Sequence, residues 1–434
     1  MNKLLSFVIF ICSFNCLTAQ AQQFNVVKYL TPGYSSTPSF PVHINGISYF
    51  TASTANEGNE LWKSNGTTAG TQLLKDINPG APGSGASELV NMNGVLYFSA
   101  TNSANGLELW RSDGTEAGTF ILKDIVAGTG NSSPTNLTTV NGTLFFSAAT
   151  SATGIELWKS DGTEAGTSLV KDINPGTTSS FPAGLTNVNG SLYFVASDDT
   201  NGNELRKTDG TDAGTLLIKD IRPGTTGSTL SALVNLNGLL LFAANDGVNG
   251  LELWSSDGTG AGTILLKDIN VGSSGSSPQS LTNVNGVIYF SALQTANGNE
   301  LWKSDGTSVG TVLVKDIYAG AAGSSPLFLT NVDGTLFFRV SEPVNGAEIW
   351  KSDGTGAGTQ LVKDVRPGVA GASPTSLTNV NGKLFFVATD NASGTELWQS
   401  DGSATGTTIA KDIRDGVQGS APARPAQCCG HPTF

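Results

Sequence analysis

ELWRSDGTEAGTFILKDI, residues 108–125, decides the fold because the chain keeps returning to it. The glutamate that opens it stands at Glu60, Glu108, Glu156, Glu204, Glu252, Glu300, Glu348 and Glu396, each 48 residues after the one before. Eight copies at one period, with no insertion between them, mean a repeat architecture in which each unit buries its apolar face against its neighbours.

The third copy shows what one unit contains. Strand signals fall at 137–140, at 143–148 (TLFFSA), at 156–160 (ELWKS) and at 168–173 (SLVKDI). Asn141-Gly142 separates the first two, and a type I′ hairpin turn needs positive φ at both central residues, which this pair supplies. The same turn recurs at Asn45, Asn93, Asn189, Asn237, Asn285, Asp333 and Asn381. SDGTEAGT separates the last two strands, with Ser and Asp able to bond the turn backbone and Gly free to take left-handed positions. Its aspartates are Asp113, Asp161, Asp209, Asp257, Asp305, Asp353 and Asp401, with Asn65 in the first copy. Both turns are local, so each unit is expected to be a four-stranded antiparallel meander.

Four strands in 48 residues match a propeller blade, which runs about 40–50 residues. Linkers such as NPGTTSSFP (174–182) are long enough to return from the outer edge of one blade to the inner edge of the next. The expected fold is an all-β, eight-bladed β-propeller over residues 24–416, with a β-solenoid as the alternative. The fourth strand has nine copies, since 26–30 and 407–413 both qualify. The local hairpin 396–413 is favoured as the end of the last blade because closing a short loop costs less entropy. The N-terminal strand would then add at an outer edge.

The ends read differently. Residues 1–21 carry Lys3, an apolar run over 4–14 and the small-residue pattern Ala19-Gln20-Ala21, the signature of a secretory signal peptide. The run is too short to span a bilayer, and no later segment is a membrane helix by pattern. Residues 417–434 restart the repeat with GSAP and then lose it in ARPAQCCGHPTF, which reads as a disordered or truncated tail.

The chain has a net charge of −12 and a pI near 4.6, which argues against nucleic acid or anionic lipid as a partner. Cys12 and Cys16 lie in the signal segment, and Cys428 and Cys429 lie in the tail. The repeats therefore depend on sheet packing, with neither disulfides nor a thiolate metal site. The only histidines are His43 and His431, so neither zinc nor haem has a ligand set.

In ELWKSDGTEAGT followed by LVKDI, the chain resembles the bacterial ELWxxDGT repeat family over nearly all of 24–416. The resemblance implies a secreted or surface-exposed bacterial protein, sometimes one carrying a C-terminal sorting domain, and it implies no reaction. Arg206 departs from the pattern where the other copies have Trp, and so does Asn65.

Candidate chemistry is sparse. Trp62, Trp110, Trp158, Trp254, Trp302, Trp350 and Trp398 share one repeat position. They are read as inter-blade packing with bonded indole N–H groups, in preference to platforms for sugar rings. The SDGT aspartates are read as turn chemistry. The ELW glutamate and the LVKDI lysine, such as Glu156 opposite about Lys171, are read as a cross-strand pair.

Asp198, Asp199, Asn201 and Glu204 form an oxygen-rich cluster, echoed by Asn245 with Asp246 and by Asp390 with Asn391. Calcium favours several such oxygens, but most copies carry Ser, Thr or Ala there, so a solvated loop is the preferred reading and no cofactor is expected. Catalysis needs unlike groups around one substrate, and the copies are too alike to supply them.

In such a meander the linkers and the second-to-third-strand loops share one end of the blades, while the Asn-Gly and SDGT turns share the other. The first set varies between copies (SDDTNG, NDGVNG, LQTANG, SEPVNG, TDNASG) and the second hardly changes. Variable side chains on a constant frame are where binding belongs, and they include Asp198, Asp199, Asn201, Asn245, Asp246, Glu342, Asp390 and Asn391. The sequence thus points to a monomeric, non-catalytic binding or adhesion module for protein or glycan at the cell surface. A propeller glycosidase or lyase and a structural spacer of a larger surface protein are the alternatives.

Overall fold

A computed structural model describes residues 36–411 without interruption, together with residues 10, 11, 27, 28, 30, 419, 426 and 427. Those residues form eight separate four-stranded antiparallel sheets, with no helix among them. In the third sheet the strands Thr135–Val140, Thr143–Thr150, Gly154–Ser160 and Ser168–Lys171 pair in chain order. The other seven repeat that order, so these are the blades of an eight-bladed β-propeller. A solenoid would instead add successive coils to shared sheets.

The chain divides into two compact units. Thr135–Gly371 holds the third to seventh blades, and Met1–Pro134 with Ala372–Phe434 holds the first, second and eighth. The expected signal peptide and tail lie outside the described residues, apart from a two-residue parallel pairing of Phe10–Ile11 with Ala426–Gln427 and the single Gly419.

Each Asn-Gly turn adopts the left-handed conformation that its sequence asks for, with φ of 49° at Asn141 and 76° at Gly142. The second strand is buried over its middle, Leu144 to Ala148 in the third blade, because both of its faces are covered. Between the third and fourth blades, Val140, Phe145, Leu157, Val170 and Ile173 meet Leu192, Phe194 and Ala196. The core is therefore a series of layers between successive blades. A buried phenylalanine such as Phe194 carries about 3–5 kcal/mol against truncation to alanine.

The tryptophans belong to these layers. Trp110 packs on Leu61 and Leu74 of the preceding blade and stacks at 6.4 Å on Phe98, its partner across the hairpin. Six of the seven are buried and Trp350 is half-buried, so none is a platform for a sugar ring. The expected hydrogen bond does not form: no described residue accepts one from the indole N–H of Trp62, Trp110, Trp158, Trp254, Trp302 or Trp350. The ring works through its faces, as where Lys315 lies 5.8 Å from the centre of Trp350.

The SDGT turns are closed hydrogen-bond circuits. In the third blade Asp161 Oδ1 accepts from the Thr163 N–H at 2.9 Å and from its hydroxyl at 2.7 Å, and Thr163 Oγ1 accepts from the Gly166 N–H. Ser160 and Thr167 hydroxyls bond below them at 2.7 Å. A side chain at Gly166 would meet the Asp161 carboxylate at 2.0 Å, which fixes the second glycine of the motif.

The Glu–Lys pair expected across the hairpin does not form. A bulge between Leu157 and Trp158 puts Lys171 opposite Leu157. Lys171 reaches into the next blade, to the Thr215 carbonyl and to Asp212 at 3.1 Å, while Lys159 donates to the Gly210 carbonyl at 2.8 Å. Glu156 turns inward and is fully buried, as is its equivalent in every blade. Its Oε1 accepts from the Ser180 N–H at 2.9 Å, and its Oε2 accepts from the Ile173 N–H at 3.0 Å and the Ser180 hydroxyl at 2.6 Å. One carboxylate thus pins both ends of the linker that leads to the next blade.

The ninth copy of the fourth strand resolves as expected at one end. Thr408–Lys411 pairs with Gly394–Ser400 and completes the eighth blade locally. At the other end Val27 and Leu30 pack on Phe50, Ala52 and Trp62, and Lys28 donates to the Thr71 carbonyl at 2.8 Å. Lys75 makes the same bond to Thr119 of the second blade at 2.6 Å. Val27, Lys28 and Leu30 therefore lie on the first blade as a preceding blade's outer strand would, and none of the three is part of a strand.

Glu156→Ala would remove the acceptor of the buried Ile173 N–H and leave the Ser180 N–H and hydroxyl to share the Ile155 carbonyl, and is expected to cost about 2 kcal/mol or more in urea denaturation, with Glu156→Gln costing less. Burial raises Glu60, Glu108, Glu156, Glu204, Glu252 and Glu300 above the ordinary 4.5. The folded state then takes up protons that the unfolded state does not, so these groups add stability as pH falls from neutral toward 4.5. Hydrogen bonds from the turn threonine or serine hold the seven SDGT aspartates below 3.8, a contribution lost as pH falls below that value. A melting temperature that peaks between about pH 4 and 5 is expected, and one that only falls on acidification from neutral would contradict this account.

Candidate functional site

The pinned linkers and the second-to-third-strand loops meet at the same end of each blade, as the Ser228 N–H shows by donating to the Asn203 carbonyl at 3.0 Å. Asn174 of one linker also bonds Asp199 of the next blade's loop at 3.2 Å. At the opposite end the SDGT turn approaches the preceding blade's Asn-Gly hairpin. There Asn45, Lys63, Asp113 and Gly114 border a cavity of about 440 Å³ built from repeated residues.

Within the loops the predicted binding residues turn out to organise their own turns. Asp198 Oδ1 accepts from the Thr200 and Asn201 N–H groups at 2.8 and 2.7 Å, and Asn201 bonds both carboxylate oxygens through its side chain. Burial opposes ionisation of Asp198, but these bonds and Arg206 outweigh it and hold its pKa below 3.8. Asp246 accepts from Val248 and Asn249, Glu342 from Val344 and Asn345, and Asp390 from Ala392 and Ser393, all from backbone N–H groups. Asn245 Oδ1 accepts from the Gly247 N–H at 2.7 Å, and Asn391 is exposed at the tip of its turn. The acidic residues cap the loops, and the residues between them face solvent.

Arg206, which replaces the tryptophan in the fourth blade, is buried and forms an ion pair with Asp198. Its Nε donates to the Ala196 carbonyl at 3.4 Å. The substitution and the carboxylate explain each other, because a buried guanidinium demands a partner. The positive charge that calcium would bring to this cluster is already supplied by Arg206. Among the described residues no three His, Cys, Asp or Glu side chains gather in a metal-holding group.

Two features escaped the sequence reading. Inner strands are laced together by asparagines: Asn235, Asn283 and Asn331 each donate to the carbonyl of the asparagine 48 residues earlier, at 3.1–3.2 Å. The repeated asparagine of TNV, in VNL at Asn235, carries that signal. Exposed apolar residues also collect at the loop end of the five-blade unit, where Phe181, Val248, Val271, Val344 and Val369 are 60–86% exposed. Aligning the copies shows these as apolar side chains at variable positions.

No protein-family profile and no curated protein matches the chain. Several solved structures resemble it at low identity. A computationally designed protein, Ika8, matches at 14% identity over 89% of this chain and 96% of its own, with a TM-score of 0.47. A puromycin hydrolase matches at 14% identity over 81% of this chain and 58% of its own, with a TM-score of 0.42. A prolyl endopeptidase matches at 15% identity over 75% of this chain and 49% of its own, with a TM-score of 0.45. The chain thus spans only about half the length of the two hydrolases it resembles.

Proposed function

We propose that the protein is a non-catalytic binding module, secreted or held at the cell surface, which engages a protein or glycan through the loop end of its blades. The observation that carries this reading is the set of exposed apolar side chains at that end, Phe181, Val248, Val271, Val344 and Val369. Each sits on a turn or linker held rigid by a buried glutamate or a capping carboxylate, and apolar area presented on a rigid frame binds without an ordering cost. The opposite end repeats the same polar turns, and repetition leaves it little to discriminate with. Asp198, Asp246, Glu342 and Asp390 spend oxygens on their own loop backbone, and Asp199 accepts from the Asn174 side chain, which supports binding over acid–base catalysis.

The test is capture of the purified protein on a panel of bacterial and host cell surfaces and on a glycan array. Val248→Ser, Val271→Ser, Val344→Ser and Val369→Ser combined should weaken capture at least tenfold, and Val309→Ser in an SDGT-type turn should leave it unchanged. Equal losses from both variants would overturn the reading. So would a polysaccharide-cleaving activity that Asp199→Ala abolishes.

A further inference from the structure

Four differences from the third blade converge on one cavity. Between the third and fourth blades, Asn136 and Ser147 both donate to the Pro182 carbonyl, at 3.3 and 2.5 Å, and bridge the gap between inner strands. One blade further on, the equivalent residues are Gly184, Val195 and Leu230, so neither donor is present. The gap is instead a cavity of about 320 Å³, with Phe181 at its rim in place of a serine. In the seventh blade the positions of Gly184 and Val195 carry Phe328 and Arg339, which stack on each other at 4.9 Å. Only Gly184, among the described copies of that position, has no side chain.

Val195, Leu230 and Leu233 form the walls. Phe181 stands 60% exposed at a φ of 50°, a left-handed conformation that the equivalent residues share, as at Ser133 and Ser277 with 48°, and that is costlier for a bulky ring than for serine. Polar capacity comes from Ser197, Ser231 and Asn203, and no charged side chain lines the cavity. The volume lies at the lower end of the range for ligand pockets, enough for a single ring or side chain.

We infer that this cavity, between the fourth and fifth blades, takes a neutral aromatic or branched aliphatic side chain presented by a protein partner. Aliphatic walls would desolvate an ionised group, and three polar side chains are too few to pair the hydroxyls all round a sugar ring; both are costly. Asn203 and the two serines are placed to bond the amides beside the inserted side chain. The inference rests on the binding-module reading and names the chemistry of its partner.

Saturation-transfer NMR of the full chain with N-acetyl-L-phenylalaninamide, N-acetyl-L-leucinamide and methyl β-D-glucoside tests it. Transfer to the two amides is expected, with little to the glucoside. Gly184→Phe should reduce transfer at least fivefold, because Phe328 shows that the backbone accepts the ring at a φ of 56° where Gly184 has 63°. Ser376→Phe, the same change in the eighth blade, should not. Phe181→Ser, which restores the residue of other copies, should weaken transfer by at least half and serves if Gly184→Phe fails to fold. No transfer to either amide, transfer unchanged in both cavity variants, or stronger transfer to the glucoside would overturn the inference. If surface capture persists in that event, the binding module stands without this pocket, and loss of both would remove both.

Discussion

Eight fully buried glutamates, one opening the third strand's motif in each blade, anchor the linkers of this molecule. Each is the first residue of the ELW motif or its variant, and in the first six blades each uses its oxygens to accept N–H and hydroxyl groups from the linker that leaves its own blade, while Glu348 accepts from the Arg366 N–H. Glu108 takes Ile125, Val126 and Ser132, and Glu252 takes Ile269, Asn270 and Ser276. A buried carboxylate is expensive unless its lone pairs are filled, and here the donors that fill them are those an irregular linker must satisfy somewhere. The costs of two misfits cancel at one site. The linker is thereby fixed without secondary structure of its own, and the loop end of the blade becomes rigid.

The lysines complete the division of labour. Freed from the glutamates, they reach forward to carbonyls of the next blade, Lys63 to Gly114 and Lys219 to Thr263 at 2.7 Å each. Apolar layers between blades supply most of the cohesion, and these polar bonds with the asparagine lacing set the angle and register at which the layers meet. Nearly every invariant residue of the 48-residue unit is thus consumed in construction. The residues left over are few, and they lie where the copies differ: the tips of the capped loops, the linkers, and the inner gap between the fourth and fifth blades.

The hairpin turns were legible from single residues, since Asn-Gly and SDGT encode their own geometry. The capping role of Asp198, Asp246, Glu342 and Asp390 was not, because oxygen-rich loops look alike in sequence whether they bind themselves or a ligand. Arg206 announced an exception, but only its placement beside Asp198 said what the exception was for. Phe181, Gly184 and Leu230 are separate changes along the sequence, and nothing local brings them together.

What the sequence determined by itself was the unit and its number: period, strand count, turn type and hence a blade, because these depend on contacts within a few residues of one another. What only the tertiary structure decided was where the glutamates and lysines point, and which departures from the repeat share a wall. A one-residue bulge at Leu157 separates Glu156 from Lys171, and a bulge shifts pairing without leaving a mark in composition. The inner cavity is made by two blades at once, so its existence depends on a juxtaposition across 48 residues that no single repeat contains.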